Sequence, residues 1–264
     1  MLVVLERDTE QVGLQAAKIV AGAIRRNSSL RLGLATGSTM IGVYRELVRR
    51  HREEGLDFSR VVTFNLDEYL GVASTHPQSF HHFMQEHLFA GVNIPRANIH
   101  IPDGTLTGNY DAYCEQYEQA IRDAGGIDLQ LLGIGRNGHI GFNEPMSSLG
   151  SRTRMKELSA ETIADNRKSF APGEEMPQCA ITMGIGTILE TRRILLLATG
   201  AAKADAIAKS IEGPVAASVT ASALQLHRDV TFIIDEEAGS LLTHKPYYAH
   251  VLKMTRSLMP ERLS

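Results

Sequence analysis

Residues Leu131–Pro145 read LLGIGRNGHIGFNEP, and the fold is decided by what this stretch is taken to be. An apolar run over 127–134, the length of a buried strand, breaks into a loop holding Gly133, Gly135, Gly138 and Gly141 with His139 among them. Glycines there let backbone approach a ligand, and Asn137, His139, Asn143 and Glu144 are residue types that move or orient protons near neutral pH. Open α/β sheets bind ligands at strand carboxyl ends, so the pattern predicts an active-site loop. Taken alone, the same window also fits an ordinary glycine turn with a surface histidine.

The flanking segments repeat the strand-then-turn pattern. Leu30–Ala35 predicts a strand entering Thr36, Gly37, Ser38 and Thr39, followed by a helix marked by Met40, Tyr44, Leu47 and Val48. Backbone N–H groups, hydroxyls and a helix N-terminus suit a phosphate; an ordinary turn with a Ser/Thr cap is the other reading, and no Walker A pattern is present. Val61–Leu66 predicts a third strand running into Asp67 and Glu68, where one acid can face a pocket while the other turns away. Asp67 is the better pocket candidate, with a helix N-cap as its rival role. Arg193–Thr199 predicts a strand ending at Gly200, before a helix carrying Lys203. A Lys in a first helical turn opposes the macrodipole by a few tenths of a kcal/mol, roughly, unless an anion sits nearby.

With further strands at Leu2–Leu5 and Val230–Ile234 and amphipathic helices between, the expected class is α/β. The expected architecture is a single domain over 1–264, with an open, mostly parallel twisted sheet and helices on both faces (Rossmann-like). Residues 146–177 are polar and weakly periodic, and are expected to form a lid after the active-site loop.

Composition narrows the function. A formal net charge of −3 and the lack of a basic stripe argue against nucleic acid or an anionic membrane as partner, leaving a small-molecule ligand. Glu6, Arg7 and Asp8 interrupt the opening apolar segment, so no signal peptide is read and a cytoplasmic location is expected. The only cysteines, Cys114 and Cys179, have no CxxC spacing. His76, His81, His82 and His87 lack metal-ligand spacing and fall around an amphipathic helix, so no metal is expected.

The chain resembles the glucosamine-6-phosphate deaminase family over nearly its whole length. The resemblance rests on LATGSTMIGVYREL, VVTFNLDEYLG followed by HPQSF, LLGIGRNGHIGFNEP, SSLGSRTR, ITMGIGTIL and LLLATGAAKA, occurring in the family's order. It implies conversion of D-glucosamine 6-phosphate and water to D-fructose 6-phosphate and ammonia, an isomerising hydrolysis of a C–N bond without metal or organic cofactor. By resemblance, His139 is the ring-opening acid/base, Asp67 moves the proton between C2 and C1, and Glu144 and Asn137 support His139. Phosphate binding carries over to Gly37, Ser38, Thr39 and Lys203. A lid arginine also belongs to that site in relatives. Position points to Lys168 and residue type to Arg167 in this chain.

Two departures bear on the expectation. Many members carry Asp where this chain has Asn137, which can orient an imidazole but brings no negative charge. Some members are hexamers activated by N-acetylglucosamine 6-phosphate through residues matching Arg154 and Lys156, both present here. The tyrosine that completes that site has no aligned match, Tyr248 lying one position off, so activation is not expected; monomer and homo-oligomer stay open. The nearest enzyme rival, 6-phosphogluconolactonase, has a similar glycine loop but lacks the FNEP continuation. A non-catalytic sugar-phosphate sensor would be expected to carry a DNA-binding domain, and no helix-turn-helix is read.

Overall fold

A computed structural model describes residues 1–264. The chain opens with β1 (Leu2–Glu6) and α1 (Thr9–Arg26), the helix starting where Asp8 accepts a hydrogen bond from the Gln11 N–H at 2.8 Å. β2 (Arg31–Leu34), α2 (Ser38–Glu54) and β3 (Val62–Asn65) follow, then the short β4 (Asp67–Tyr69), α3 (Phe80–His87) and β5 (Ile99–His100). α4 (Tyr110–Asp123) leads into β6 (Leu129–Leu132), the strand of the decisive stretch. Beyond its loop come β7 (Arg154–Glu157), α5 (Ala160–Asn166), β8 (Cys179–Thr182) and α6 (Ile185–Leu189). β9 (Ile194–Ala198), α7 (Ala204–Ile211), β10 (Val230–Asp235) and α8 (Lys245–Leu258) complete the chain.

Seven strands form one sheet in the order β1-β10-β9-β6-β2-β3-β5, with every neighbouring pair parallel. The strands are predominantly apolar because helices cover both faces; β9 and β10 are buried at every residue. A core of 57 buried hydrophobic residues fills the space between sheet and helices. The chain moves outward from β2 to β3 to β5 in one direction and from β6 to β9 to β10 in the other. The order therefore reverses between β2 and β6, and the crevice at such a reversal is where open α/β sheets take ligands. No helix is long and apolar enough to cross a membrane.

The sequence does not predict the second sheet, the antiparallel β4-β8-β7. After β3 the chain passes through Leu66, whose N–H donates to Leu34 O at 3.0 Å, and leaves the main sheet as β4. Asp67 is therefore neither a helix cap nor a loop residue: it lies in a strand and pairs with Thr182. Ser79 caps α3 instead, accepting from the His82 N–H. β4 packs over a seven-residue apolar cluster that includes Tyr69, Phe142, Leu158 and Phe170, joining the glycine loop to segment 146–177.

Candidate active site

Above the β2/β6 reversal lies a cavity of ≈ 710 Å³. One end is formed by the turn after β2. Gly37, at φ +114, is the residue before α2, and no side chain caps the helix, which rules out the Ser/Thr-capped reading of this turn. Gly37, Ser38 and Thr39 line the cavity, and no acidic residue occupies the first turn of α2 to neutralise its positive end. Lys203 reaches the same cavity from the turn after β9, with its Nζ 2.7 Å from Ile134 O. Burial, reinforced by the nearby Arg136 charge, pushes its pKa below the usual lysine value.

Asp67 lines another wall. It is 7% exposed, and no donor satisfies its carboxylate, so burial first and the neighbouring Glu68 charge second push its pKa up to about 8. Glu68, next in the strand, points the opposite way. Its oxygens accept from the N–H groups of Tyr69, Phe80 and His81 and from Ser79 Oγ, tying β4 to the start of α3. Alternation along a strand separates the two acids.

His139 also lines the cavity. Gly138, at φ +83, turns the chain immediately before it. The imidazole Nδ1 lies 2.7 Å from Asn137 Oδ1 and 3.5 Å from Glu144 Oε2, while Asn137 Nδ2 donates to Glu144 Oε2 at 3.2 Å. Since Asn137 Oδ1 also accepts the His139 backbone N–H, the network assigns the proton to Nδ1, leaving Nε2 as the acceptor nitrogen. Asn137 and Glu144 stand behind His139 rather than on the cavity wall. Burial raises the Glu144 pKa, but hydrogen bonds from His139 and Thr162 outweigh it and hold the carboxyl at about 2.

The sequence reading misses Thr162, Asp165 and Asn166, all on α5 and all lining the cavity. Thr162 Oγ1 donates to Glu144 Oε1, Asp165 accepts a fork from Arg136 at 2.6–3.0 Å, and Asn166 Nδ2 donates to the Tyr69 hydroxyl at 2.9 Å. Their i, i+3, i+4 spacing gives α5 one polar face, a helical pattern that the sequence itself carries.

Other expected residues are not brought to the cavity. Arg167 and Lys168 fall in the single 3-10 turn after α5, which carries the Arg167 guanidinium to Ala171 O; neither lines the cavity. Arg136 supplies a cation there instead. Arg154 and Lys156 share a face of β7 outside it: Arg154 donates to Asn143 Oδ1 at 2.9 Å, and Lys156 pairs with Glu157. Tyr248 packs into the main core and its hydroxyl donates to Glu212 at 3.0 Å. His76 contacts Glu174, while His81 and His82 line a separate cleft of ≈ 750 Å³ that includes Arg96.

The sequence model for glucosamine-6-phosphate isomerases/6-phosphogluconolactonase matches residues 6–233. The glucosamine-6-phosphate deaminase of Shewanella loihica is 49% identical over 264 residues, covering 100% of this chain and 98% of that protein. That of Cellvibrio japonicus is 49% identical over 259 residues, 98% of each. Among solved structures, a monomeric glucosamine-6-phosphate deaminase superposes with a TM-score of 0.88 at 44% identity, covering 91% of this chain and all of that one. The 6-phosphogluconolactonase of Trypanosoma brucei shares the fold at a TM-score of 0.71 and 18% identity, covering 92% of this chain and 98% of that one. The chain thus belongs to the glucosamine-6-phosphate isomerase/6-phosphogluconolactonase family, on its glucosamine-6-phosphate deaminase side.

Proposed function

We propose that this protein converts D-glucosamine 6-phosphate and water to D-fructose 6-phosphate and ammonia. The observation that carries the reading is the pairing, in one cavity, of an unpartnered buried Asp67 with a His139 whose Nε2 is free. Opening the pyranose ring needs a group that takes the anomeric hydroxyl proton and returns one to the ring oxygen, which an imidazole does near neutral pH. Asn137 and Glu144 orient that imidazole, and Glu144 stabilises the charge it gains.

In the open-chain amino-aldose, the C2 proton is acidified by the C1 aldehyde. Asp67 takes it while O1 gains a proton from the substrate's own ammonium group, giving an enolamine, and Asp67 returns its proton to C1, giving a C2 iminium. Water then adds at C2 and ammonia leaves, so the isomerisation ends in hydrolysis of a C–N bond. A carboxylate poorly solvated by its surroundings is a stronger base than one in water, which suits Asp67 to a weakly acidic carbon proton. At the other end, the N-terminus of α2, the Ser38 and Thr39 hydroxyls and Lys203 favour the phosphate. Segment 146–177 serves as a lid through α5, which carries Thr162 to Glu144.

The test is stoichiometric. Purified protein given glucosamine 6-phosphate with a chelator present is expected to release ammonium and fructose 6-phosphate in equal amounts, and Asp67→Asn is expected to abolish both. Ammonium without fructose 6-phosphate, or full turnover in the variant, overturns the assignment.

A further inference from the structure

Arg136, the one charged side chain inside the glycine loop, is the feature of the cavity that the reading above leaves unused. It projects from the loop after β6, on the wall it shares with Lys203, and meets Asp165 of α5 edge-on. Nη2 lies 2.6 Å and 2.7 Å from the two carboxylate oxygens, and Nε lies 3.0 Å from one of them. Both side chains are substantially exposed, 49% and 37%, so this pair adds little to stability. Lys203 has no carboxylate partner, since its Nζ is bonded to a backbone carbonyl. The phosphate end of the cavity therefore holds two cations and an uncapped helix N-terminus against Asp165, the one carboxylate on its wall; Glu161 stands off the wall, with Oε1 3.9 Å from Arg136 Nη2.

An arginine fork that fits a carboxylate fits a phosphate equally well, and a phosphate brings more charge to it. We propose that Arg136 binds the substrate phosphate together with Lys203, and that Asp165 occupies the phosphate's place on the Arg136 fork while the cavity is empty. Phosphate arrival then exchanges an intramolecular anion for the ligand, freeing Asp165 and loosening its hold on α5, which keeps its contacts through Thr162 and Asn166. This rests on the sugar-phosphate reading for the identity of the ligand. It assigns the lid-side cation to the glycine loop rather than to Arg167 or Lys168.

The two partners make opposite predictions, which a merely structural ion pair does not. Calorimetric titration of the full chain with inorganic phosphate and with fructose 6-phosphate is expected to show Arg136→Met weakening both about tenfold or more, as loss of a charge-assisted fork does. Asp165→Asn is expected to tighten both by about three- to tenfold, because the competing anion is gone. With Arg136→Met already in place, Asp165→Asn is expected to change nothing. In turnover, Arg136→Met is expected to raise KM more than it lowers kcat. Parallel weakening by Asp165→Asn and Arg136→Met overturns the proposal, as does unchanged phosphate binding in Arg136→Met. Because binding is read without catalysis, opposite shifts in a protein that releases no ammonium would leave this inference standing and overturn the deaminase reading instead.

Discussion

Replacing Asp67 by Asn turns the burial of a carboxylate into a measurable free energy. The side chain sits in β4 with no hydrogen-bond donor, and its pKa is raised from the ordinary 3.8 to about 8. Below pH 3.8 the group is neutral in both the folded and the unfolded chain. Between 3.8 and about 8 only the unfolded chain ionises, so this residue makes the fold progressively less stable as pH rises. Above about 8 both states are charged and the full penalty is present. At roughly 1.4 kcal/mol per pH unit, that interval sets a ceiling of about 6 kcal/mol. Water reaching the open cavity and local rearrangement reduce it, and about 2–3 kcal/mol is expected at pH 8.

The Asn amide carries no charge at any of these pH values, so the gain in stability of Asp67→Asn over the unsubstituted protein should itself depend on pH. At about 2–4 °C per kcal/mol for a chain of this size, the variant is expected to melt about 5–10 °C higher at pH 8. The difference should shrink steadily towards pH 5. Scanning calorimetry or thermal circular dichroism across that range reads it directly. A constant difference at all pH values would mean that Asp67 is solvated like a surface aspartate, removing the physical basis for its strength as a carbon base. Loss of activity accompanied by this pH-dependent gain in stability would instead mark a group held in an unfavourable state for the sake of chemistry.

Asn137→Asp places a second carboxylate beside the imidazole, and the acidic limb of kcat/KM is expected to move up by about one pH unit; an unmoved limb refutes the proposed charge support of His139. Thr162→Val removes the hydroxyl that fixes Glu144 and is expected to lower kcat about tenfold with little change in KM, measured by initial rates; an equal rise in KM would place Thr162 on substrate instead. Gly184→Ala is expected to reduce stability by about 1–3 kcal/mol in denaturant titration, because its Cβ would lie 2.1 Å from the Ser151 carbonyl oxygen; an unchanged midpoint would show that this backbone contact yields freely.

The parallel sheet is legible in the sequence because its longer strands are predominantly apolar runs that break into polar or glycine-bearing turns. Burial on both faces favours that composition. The second sheet is not legible for the converse reason. β4 is three residues long, β7 reads RMKE with no apolar alternation, and both pair with β8, over a hundred positions beyond Asp67. Nothing local reports a ladder formed at that separation. Arg136 is visible in the sequence but its role is not, because its partner Asp165 lies on a helix within a segment that reads as irregular.

Three buried or half-buried carboxylates around the cavity show how sequence position and chemical role come apart. Asp67 and Glu68 are adjacent, yet Glu68 accepts four hydrogen bonds at the head of α3 while Asp67 accepts none. Glu144 lies far along the chain and is held at about 2 by the side chains that it braces. Burial still raises the Glu68 pKa despite its four donors, but those bonds commit its oxygens to bracing α3, whereas Asp67, with none, is left to act as a base and destabilises the fold. Residue types at 67, 68 and 144 are therefore nearly interchangeable in the sequence, and their functions are set by how many N–H and O–H groups the fold aims at each. The glycine loop and α5 supply donors to Glu144, and α3 supplies them to Glu68. The strand that turns out of the main sheet leaves Asp67 alone, facing the space where a substrate carbon would sit.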